Sequence, residues 1–186
     1  MEKPRVLIID FEDSFTFNIA RECFNYSSEV KVVFYREFFH PLSYHQTLST
    51  LSERDILILG PGPKHPRDYP ETFLFIADLL TQDKWQVFGI CLGHQLMAYV
   101  LGHQVIRSKE VMHAEAVKLK SNFFGNINVY RYNSLEVLAK NCSYEKAILY
   151  GDRVYEIEYG RHLSVQYHPE SIGSPAKNIF KKFFKR

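Results

Sequence analysis

Two uninterrupted apolar runs, Val6-Leu7-Ile8-Ile9 and Ile56-Leu57-Ile58-Leu59, set the tightest limit on what this chain can fold into. A strand with one wet face alternates polar and apolar residues, whereas a strand apolar at every position needs cover on both faces. Val30 to Phe34 reads as a further strand, and Val87-Phe88-Gly89-Ile90 is strand-like. Helical patterns lie between them: Ser14 to Tyr26 with Ser14 as N-cap, a short helix after Pro41, Glu71 to Leu80, and Gln95 to Leu101. Apolar strands alternating with helices predict a parallel sheet covered on both faces.

The second half is richer in strand signals, at Glu115 to Leu119, Ile127 to Tyr132, Ala147 to Tyr150, Val154 to Ile157 and Leu163 to Tyr167. Their spacing predicts antiparallel ribbons added to the parallel core. Ser174 to Arg186 reads as a terminal helix, its phenylalanines in the core and its cations complementing the helix C-terminus, with a docking patch as the competing reading of its Lys-Lys-Phe-Phe-Lys-Arg ending. No repeat, linker or low-complexity tract divides the 186 residues, so residues 1–186 are expected to form one domain.

A net charge of +2 gives no electrostatic case for a nucleic-acid or membrane partner. No apolar run approaches the roughly 20 residues that cross a bilayer. The N-terminus lacks a signal-peptide layout, and Cys23, Cys91 and Cys142 are too few and too scattered for a disulfide framework. The expected compartment is a reducing cytoplasm.

Chemistry is written most densely in Phe88-Gly89-Ile90-Cys91-Leu92-Gly93-His94-Gln95, where a strand ends in Gly-x-Cys-x-Gly and a helix pattern follows. This is the thiol counterpart of the Gly-x-Ser-x-Gly elbow, whose strained strand-to-helix turn exposes the nucleophile. A helix N-terminus favours a thiolate at Cys91, and the Leu92 N–H points where an oxyanion develops. A buried core cysteine at a strand end is the plainer reading. In Val165-Gln166-Tyr167-His168-Pro169-Glu170-Ser171, His168 supplies a base and Glu170 a carboxylate to orient it, while Pro169 restricts the histidine backbone. Alone, that segment reads as a surface loop. Leu59-Gly60-Pro61-Gly62-Pro63-Lys64-His65-Pro66 follows a strand, so it shares the sheet's carboxyl edge; alone, it reads as an ordinary turn.

These three pieces in this order resemble the class I (triad) glutamine amidotransferases over nearly the whole chain. Asp10-Phe11-Glu12-Asp13-Ser14-Phe15-Thr16 is similar to the opening motif of one branch, the glutaminase subunits of anthranilate synthase and aminodeoxychorismate synthase. Arg107 to His113, with Val111-Met112-His113, and Arg131-Tyr132-Asn133-Ser134-Leu135 resemble further signatures of that branch. The resemblance implies a flavodoxin-like α/β domain, a mostly parallel sheet flanked by helices, that hydrolyses L-glutamine through a thioester on Cys91. It makes His168 the general base and acid and Glu170 its orienting partner. The amides of Gly62 and Leu92 become the oxyanion hole, and Gly62, Lys64, Gln95, Ser134 and Leu135 hold glutamine. Ammonia then passes to a separate, larger chorismate-binding synthase subunit. No metal or organic cofactor is implied.

Several positions depart from the family pattern. Lys64 and Ala114 stand where glycine is usual, Asn133 where histidine is usual, and Ile157-Glu158-Tyr159 where Ile-Arg-His is usual. A lysine at residue 64 would be strained at positive φ. A contact through its main chain is compatible with a side chain pointing outward. Competing readings are a catalytically impaired subunit that only binds its synthase, and another cysteine hydrolase of the same architecture. A zinc site at Cys91 and His94 lacks a second ligand pair at suitable spacing.

Overall fold

A computed structural model describes residues 3–82, 84–108, 115–140 and 146–185. The Val111-Met112-His113 signature, the Ala114 departure and Cys142 lie outside the described residues. In chain order the strands are β1 Arg5–Asp10, β2 Glu29–Phe34, β3 Ile56–Leu59, β4 Gln86–Ile90, β5 Gln104–Arg107, β6 Glu115–Ser121, β7 Gly125–Arg131, β8 Leu135–Leu138, β9 Lys146–Tyr150, β10 Arg153–Tyr159 and β11 His162–Val165. The helices are α1 Thr16–Cys23, α2 Tyr35–Phe38, α3 Pro41–Thr50, α4 Phe73–Thr81, α5 Leu92–Val100 and α6 Ala176–Phe183.

The apolar strands do what their composition requires. Strands β2-β1-β3-β4-β11 run parallel in that order. Alternate residues of one strand enter different cores: Leu7 and Ile9 pack with Leu57, Leu59, Val87 and the residues of α3, α4 and α5. Val6 and Ile8 pack with Ile56, Ile58, Phe88, Ile90 and the apolar faces of α1 and α6. This is the doubly covered, mostly parallel sheet that the uninterrupted runs predict.

Antiparallel strands extend the sheet beyond β11 in the order β10-β8-β5, with β9 pairing on β10. Strands β6 and β7 form a separate ribbon, joined to the main body by a bridge between Tyr130 and His168. Among the described residues, no helix is long and apolar enough to cross a membrane.

Several boundaries differ from the sequence reading. Ser14 is not the cap of the first helix, which starts at Thr16 with Phe15 at the cap position and no side-chain cap bond. Asp13 acts there instead, its carboxylate accepting from the Phe15 N–H at 2.8 Å, while Asp10 accepts from the Thr16 hydroxyl at 2.7 Å. The predicted helix from Glu71 begins as a 3₁₀ turn over Pro70–Thr72, because prolines at 66 and 70 restrict the backbone before α4. Strands β5 and β8 are additions that the sequence pattern did not reveal. At the C-terminus, Phe180 and Phe183 are buried and Phe183 stacks on Phe88 at 4.3 Å. Lys181 and Lys182 lie in the last turn, and Lys182 also donates to the Phe124 carbonyl at 2.8 Å, tying α6 to the β6–β7 turn.

A close backbone approach joins α5 to the end of β3. The Gly93 N–H donates to the Gly60 carbonyl at 3.1 Å, and a Cβ on Gly93 would overlap the Leu59 carbonyl. Gly93→Ala is therefore expected to cost about 1–3 kcal/mol, roughly 2–12 °C in thermal midpoint for a chain of this size. A variant that melts with the wild type would show that α5 can retreat from β3 without penalty.

Candidate active site

Strand β4 ends at Ile90, and Cys91 turns the chain into α5 with φ 52° and ψ −100°. That conformation is disfavoured for any L side chain and costs about 1–3 kcal/mol. It persists because its neighbours fix it. The Cys91 N–H donates to the Val165 carbonyl at 2.9 Å, and the Cys91 carbonyl accepts from the Gln95 N–H at 3.0 Å. Gly89 lies under the turn, where a Cβ would come within 2.6 Å of the Met97 sulfur and 2.9 Å of the Gly93 backbone. Leu92, first in the helix, carries an N–H with no intrahelical acceptor. The predicted thiol elbow is thus present as a backbone feature.

Cys91 lines a cavity of about 220 Å³ together with Gly62, Lys64, Gln95, Ser134, Leu135 and His168. Of the remaining sequence-predicted residues, Leu92 is buried against Gly62, where a Cβ on the glycine would overlap the leucine side chain. Glu170 is buried on the far side of His168, its Oε1 2.7 Å from Nδ1. Interaction with Cys91 also raises the pKa of this imidazole.

His168 is held from several directions. Its N–H donates to the Tyr130 carbonyl at 3.2 Å, and its carbonyl accepts from the Ser171 and Ser174 hydroxyls at 2.8 and 3.1 Å. Its ring lies against Phe15 and Tyr132, with centroids at 5.1 and 5.5 Å. Burial opposes a charge on this imidazole, but negative charge on Cys91, the hydrogen bonds to Cys91 and Glu170, and the carboxylate of Glu170 hold it well above its ordinary value. Two aromatic faces suit a charged ring as well.

The loop carrying Ser134 and Leu135 rests on a buried polar frame. The Asn133 amide donates to the Leu135 carbonyl and accepts from Arg131 Nε at 3.0 Å. Arg131 pairs with Glu136 at 3.1 Å, and Arg153 reaches the same carboxylate at 2.8 Å. Burial works against the ionised Glu136, yet the two arginines hold its carboxyl below the usual range. Asn133, a departure from the family pattern, thereby has both amide groups satisfied. Lys64 is exposed and is not among the described residues with positive φ, so the strain considered for a lysine there does not arise.

His94 turns away from Cys91. Its ring nitrogens meet Ser164 Oγ at 2.9 Å and the Val154 carbonyl at 3.2 Å, and burial pushes its pKa down to about 3. Neither nitrogen remains for a metal shared with Cys91. Sequence reasoning assigned no role to Phe15, Tyr132 or Gln166. Gln166 accepts from Gln95 at 3.4 Å and directs its own amide to the Cys91 sulfur at 4.0 Å. The signal available was a polar residue inside the apolar run Val165 to Tyr167.

The chain belongs to the class-I glutamine amidotransferase family, whose model matches residues 7–186. It is 32% identical over 186 aligned positions to anthranilate synthase component 2 of Helicobacter pylori strain ATCC 700392 / 26695, covering 90% of this chain and 89% of that one. To anthranilate synthase component 2 of Leptospira biflexa it is 34% identical, covering 91% and 93%. The carbamoyl phosphate synthase small chain of Symbiobacterium thermophilum is 30% identical, with 97% of this chain matching 50% of that protein. Among solved structures, a putative GMP synthase subunit from Thermoplasma acidophilum superposes with a TM-score of 0.78 at 17% identity, covering 100% of this chain and 94% of that one. The flavodoxin-like fold of these glutamine amidotransferases is shared.

The raised His168 fixes the sign of a pH dependence. A folded pKa above the unfolded value of about 6.5 adds stability that is full below that pH and is lost as pH climbs through the higher folded value. Glu170→Gln keeps the shape and removes a charge that supports the imidazolium. Its His168 midpoint, followed by NMR of the ring, is expected to fall below that of wild type, so the added stability is smaller and is gone at a lower pH. Identical midpoints would remove Glu170 as the group that sets the state of His168.

Proposed function

We propose that the whole chain, residues 1–186, is one glutaminase unit that releases ammonia from L-glutamine for a larger, chorismate-using synthase subunit in the cytoplasm. The observation that carries this reading is the buried Cys91–His168–Glu170 alignment, built on a strained turn and opening into a cavity lined by Gln95, Ser134 and Leu135. The names of the relatives from Helicobacter pylori and Leptospira biflexa support the choice of acceptor. The small-chain relative performs its role in a chain about twice the matched length, which makes it the second candidate context.

The Cys91 thiolate attacks the side-chain amide carbon of glutamine, and the carbonyl π electrons move onto oxygen. The N–H groups of Gly62 and Leu92 receive that oxyanion. His168, protonated at the start, gives its proton to the departing nitrogen; the C–N bond breaks, ammonia leaves and a γ-glutamyl thioester remains. Neutral His168 then takes a proton from water as the water oxygen attacks the thioester carbon. The C–S bond breaks, glutamate departs and the thiolate–imidazolium pair returns. Glu170 keeps Nδ1 protonated so that Nε2 faces the sulfur and substrate. No step calls on a metal or organic cofactor.

Cys91→Ser is expected to abolish glutamine-dependent synthesis in the assembled complex while leaving synthesis from added ammonium salts intact. His168→Ala should lower glutamine turnover by about 10²–10⁴-fold. Glutamine hydrolysis by Cys91→Ser at near wild-type rate would sink the proposal. Reconstitution with anthranilate synthase and aminodeoxychorismate synthase large subunits in turn would assign the acceptor.

A further inference from the structure

Gln166 interrupts an apolar run, and it is buried between Val165 and Tyr167, which are buried themselves. Its backbone is fixed on two sides. Val165, the residue before it, accepts from the Cys91 N–H at 2.9 Å, and the Gln166 N–H donates to the Tyr155 carbonyl of β10 at 2.8 Å. An interior amide left unpaired costs stability that a methionine of similar length would not. The two partners of this amide account for its presence.

The amide oxygen accepts from Gln95 Nε2 at 3.4 Å, and the amide nitrogen points to Cys91 Sγ at 4.0 Å. Gln95 is also buried and stands one helical turn after Cys91, its own N–H bonded to the Cys91 carbonyl at 3.0 Å. Gln95, Gln166 and Cys91 thus form a line of hydrogen bonds that reaches the sulfur without passing through His168. Gln95 sets its direction. With a Gln95 N–H on Gln166 Oε1, the Gln166 amide presents a donor to the sulfur. Reversed, it would turn an oxygen towards a thiolate, which repels it. Gln166 is not among the described residues that line the catalytic cavity, so it acts on the sulfur and not on the substrate.

We propose that Gln166 is a positioning residue for the nucleophile: its N–H, aimed by Gln95, holds the Cys91 thiolate and favours it over the thiol. The inference rests on the glutaminase reading and adds a group to its machinery. A contact of 4.0 Å is long, and hydrogen bonds of catalytic groups are often long outside the substrate complex and tighten within it. His168 gains and loses its proton during turnover, whereas an amide keeps the same dipole throughout. Gln166 therefore supports the sulfur before the first attack and again when the C–S bond of the thioester breaks.

Alkylation of Cys91 by iodoacetamide in the isolated chain, read site by site by mass spectrometry across pH, tests this without substrate or partner. The variants are Gln166→Met, which has no donor, and Gln166→Glu, which sets a carboxylate in place of the amide. The titratable groups that line the cavity with Cys91, namely Asp13, Lys64 and His168, are untouched by either change. In Gln166→Met the pH–rate profile should move to higher pH, with the alkaline plateau near wild type. Alkylation on the acid side should slow roughly 10-fold, the loss expected for one hydrogen bond to a charged group. Gln166→Glu should move the profile further in the same direction. A uniform slowing at every pH, or profiles that coincide with wild type, would overturn the proposal. If Gln166→Met fails to fold, Gln166→Glu decides alone, and a profile unmoved or moved to lower pH overturns the proposal. Wild-type labelling by 6-diazo-5-oxo-L-norleucine is the separate control. If Cys91 reacts with iodoacetamide and not with that diazo-ketone, the glutaminase reading itself falls, and this inference with it.

Discussion

The turn at Cys91 is the constraint on which the other parts of the molecule depend. Its backbone sits at φ 52°, where a cysteine is strained. A cost of about 1–3 kcal/mol is a large share of the 5–15 kcal/mol that typically separates a folded domain from its unfolded chain. Only neighbours that over-determine the position can hold it. They come from three directions: β11 through Val165, the β3 loop through Gly60, and α5 through Gln95. The strand order β1-β3-β4-β11 is what lets these reach one point. Gly93 is required because α5 begins almost in contact with the backbone of β3, where no Cβ fits.

The second requirement is a charged histidine inside the protein. Burial alone would keep His168 neutral, and an uncompensated cation there would be costly. Interactions with Cys91 and with Glu170, whose carboxylate meets Nδ1, reverse that preference. Phe15 and Tyr132 then cover the ring without competing for its hydrogen bonds. These aromatics arrive from the opening loop and the end of β7, so the β6–β7 ribbon is coupled to the surroundings of His168 even though it stands outside the main sheet. The Tyr130–His168 backbone bridge makes that coupling direct.

The elements legible in the sequence share a local cause. Val6 to Ile9 and Ile56 to Leu59 declare themselves because burial on both faces demands apolar side chains at every position. The cysteine turn is legible for a similar reason, since its glycines answer clashes within a few residues or with the adjacent strand. What stayed hidden depends on distant partners. Strand β8 contains Glu136, a charge that argues against a buried strand until Arg131 and Arg153 are seen on either side of it. Strand β5 has four residues, too few for a period to emerge. Ser14 looks like a cap by residue type, but the Asp10 and Asp13 carboxylates take the bonds that would define one. Phe15 and Tyr132 meet across more than a hundred residues of chain, and nothing in their local pattern marks that meeting.

The departures from the family pattern show how such a site tolerates change. At 133, the demand is for one acceptor facing Arg131 and one donor facing the Leu135 carbonyl, and an asparagine amide supplies both in a single short side chain. The substitution is absorbed because the rigidity of the Ser134–Leu135 loop resides in the Arg131–Glu136–Arg153 frame beneath it. Breaking that frame would strand a charge in the interior, which costs far more than exchanging one neutral side chain. At 64 the logic differs, since the side chain is exposed and the loop keeps an ordinary φ. Two glycines in that loop leave no room for a Cβ: Gly60 against the Ile9 carbonyl, and Gly62 between Leu92 and Phe11. At these two positions the main chain or a buried network already fixes the geometry, whereas Gly60 and Gly93 each face a neighbouring carbonyl that leaves no room for a Cβ.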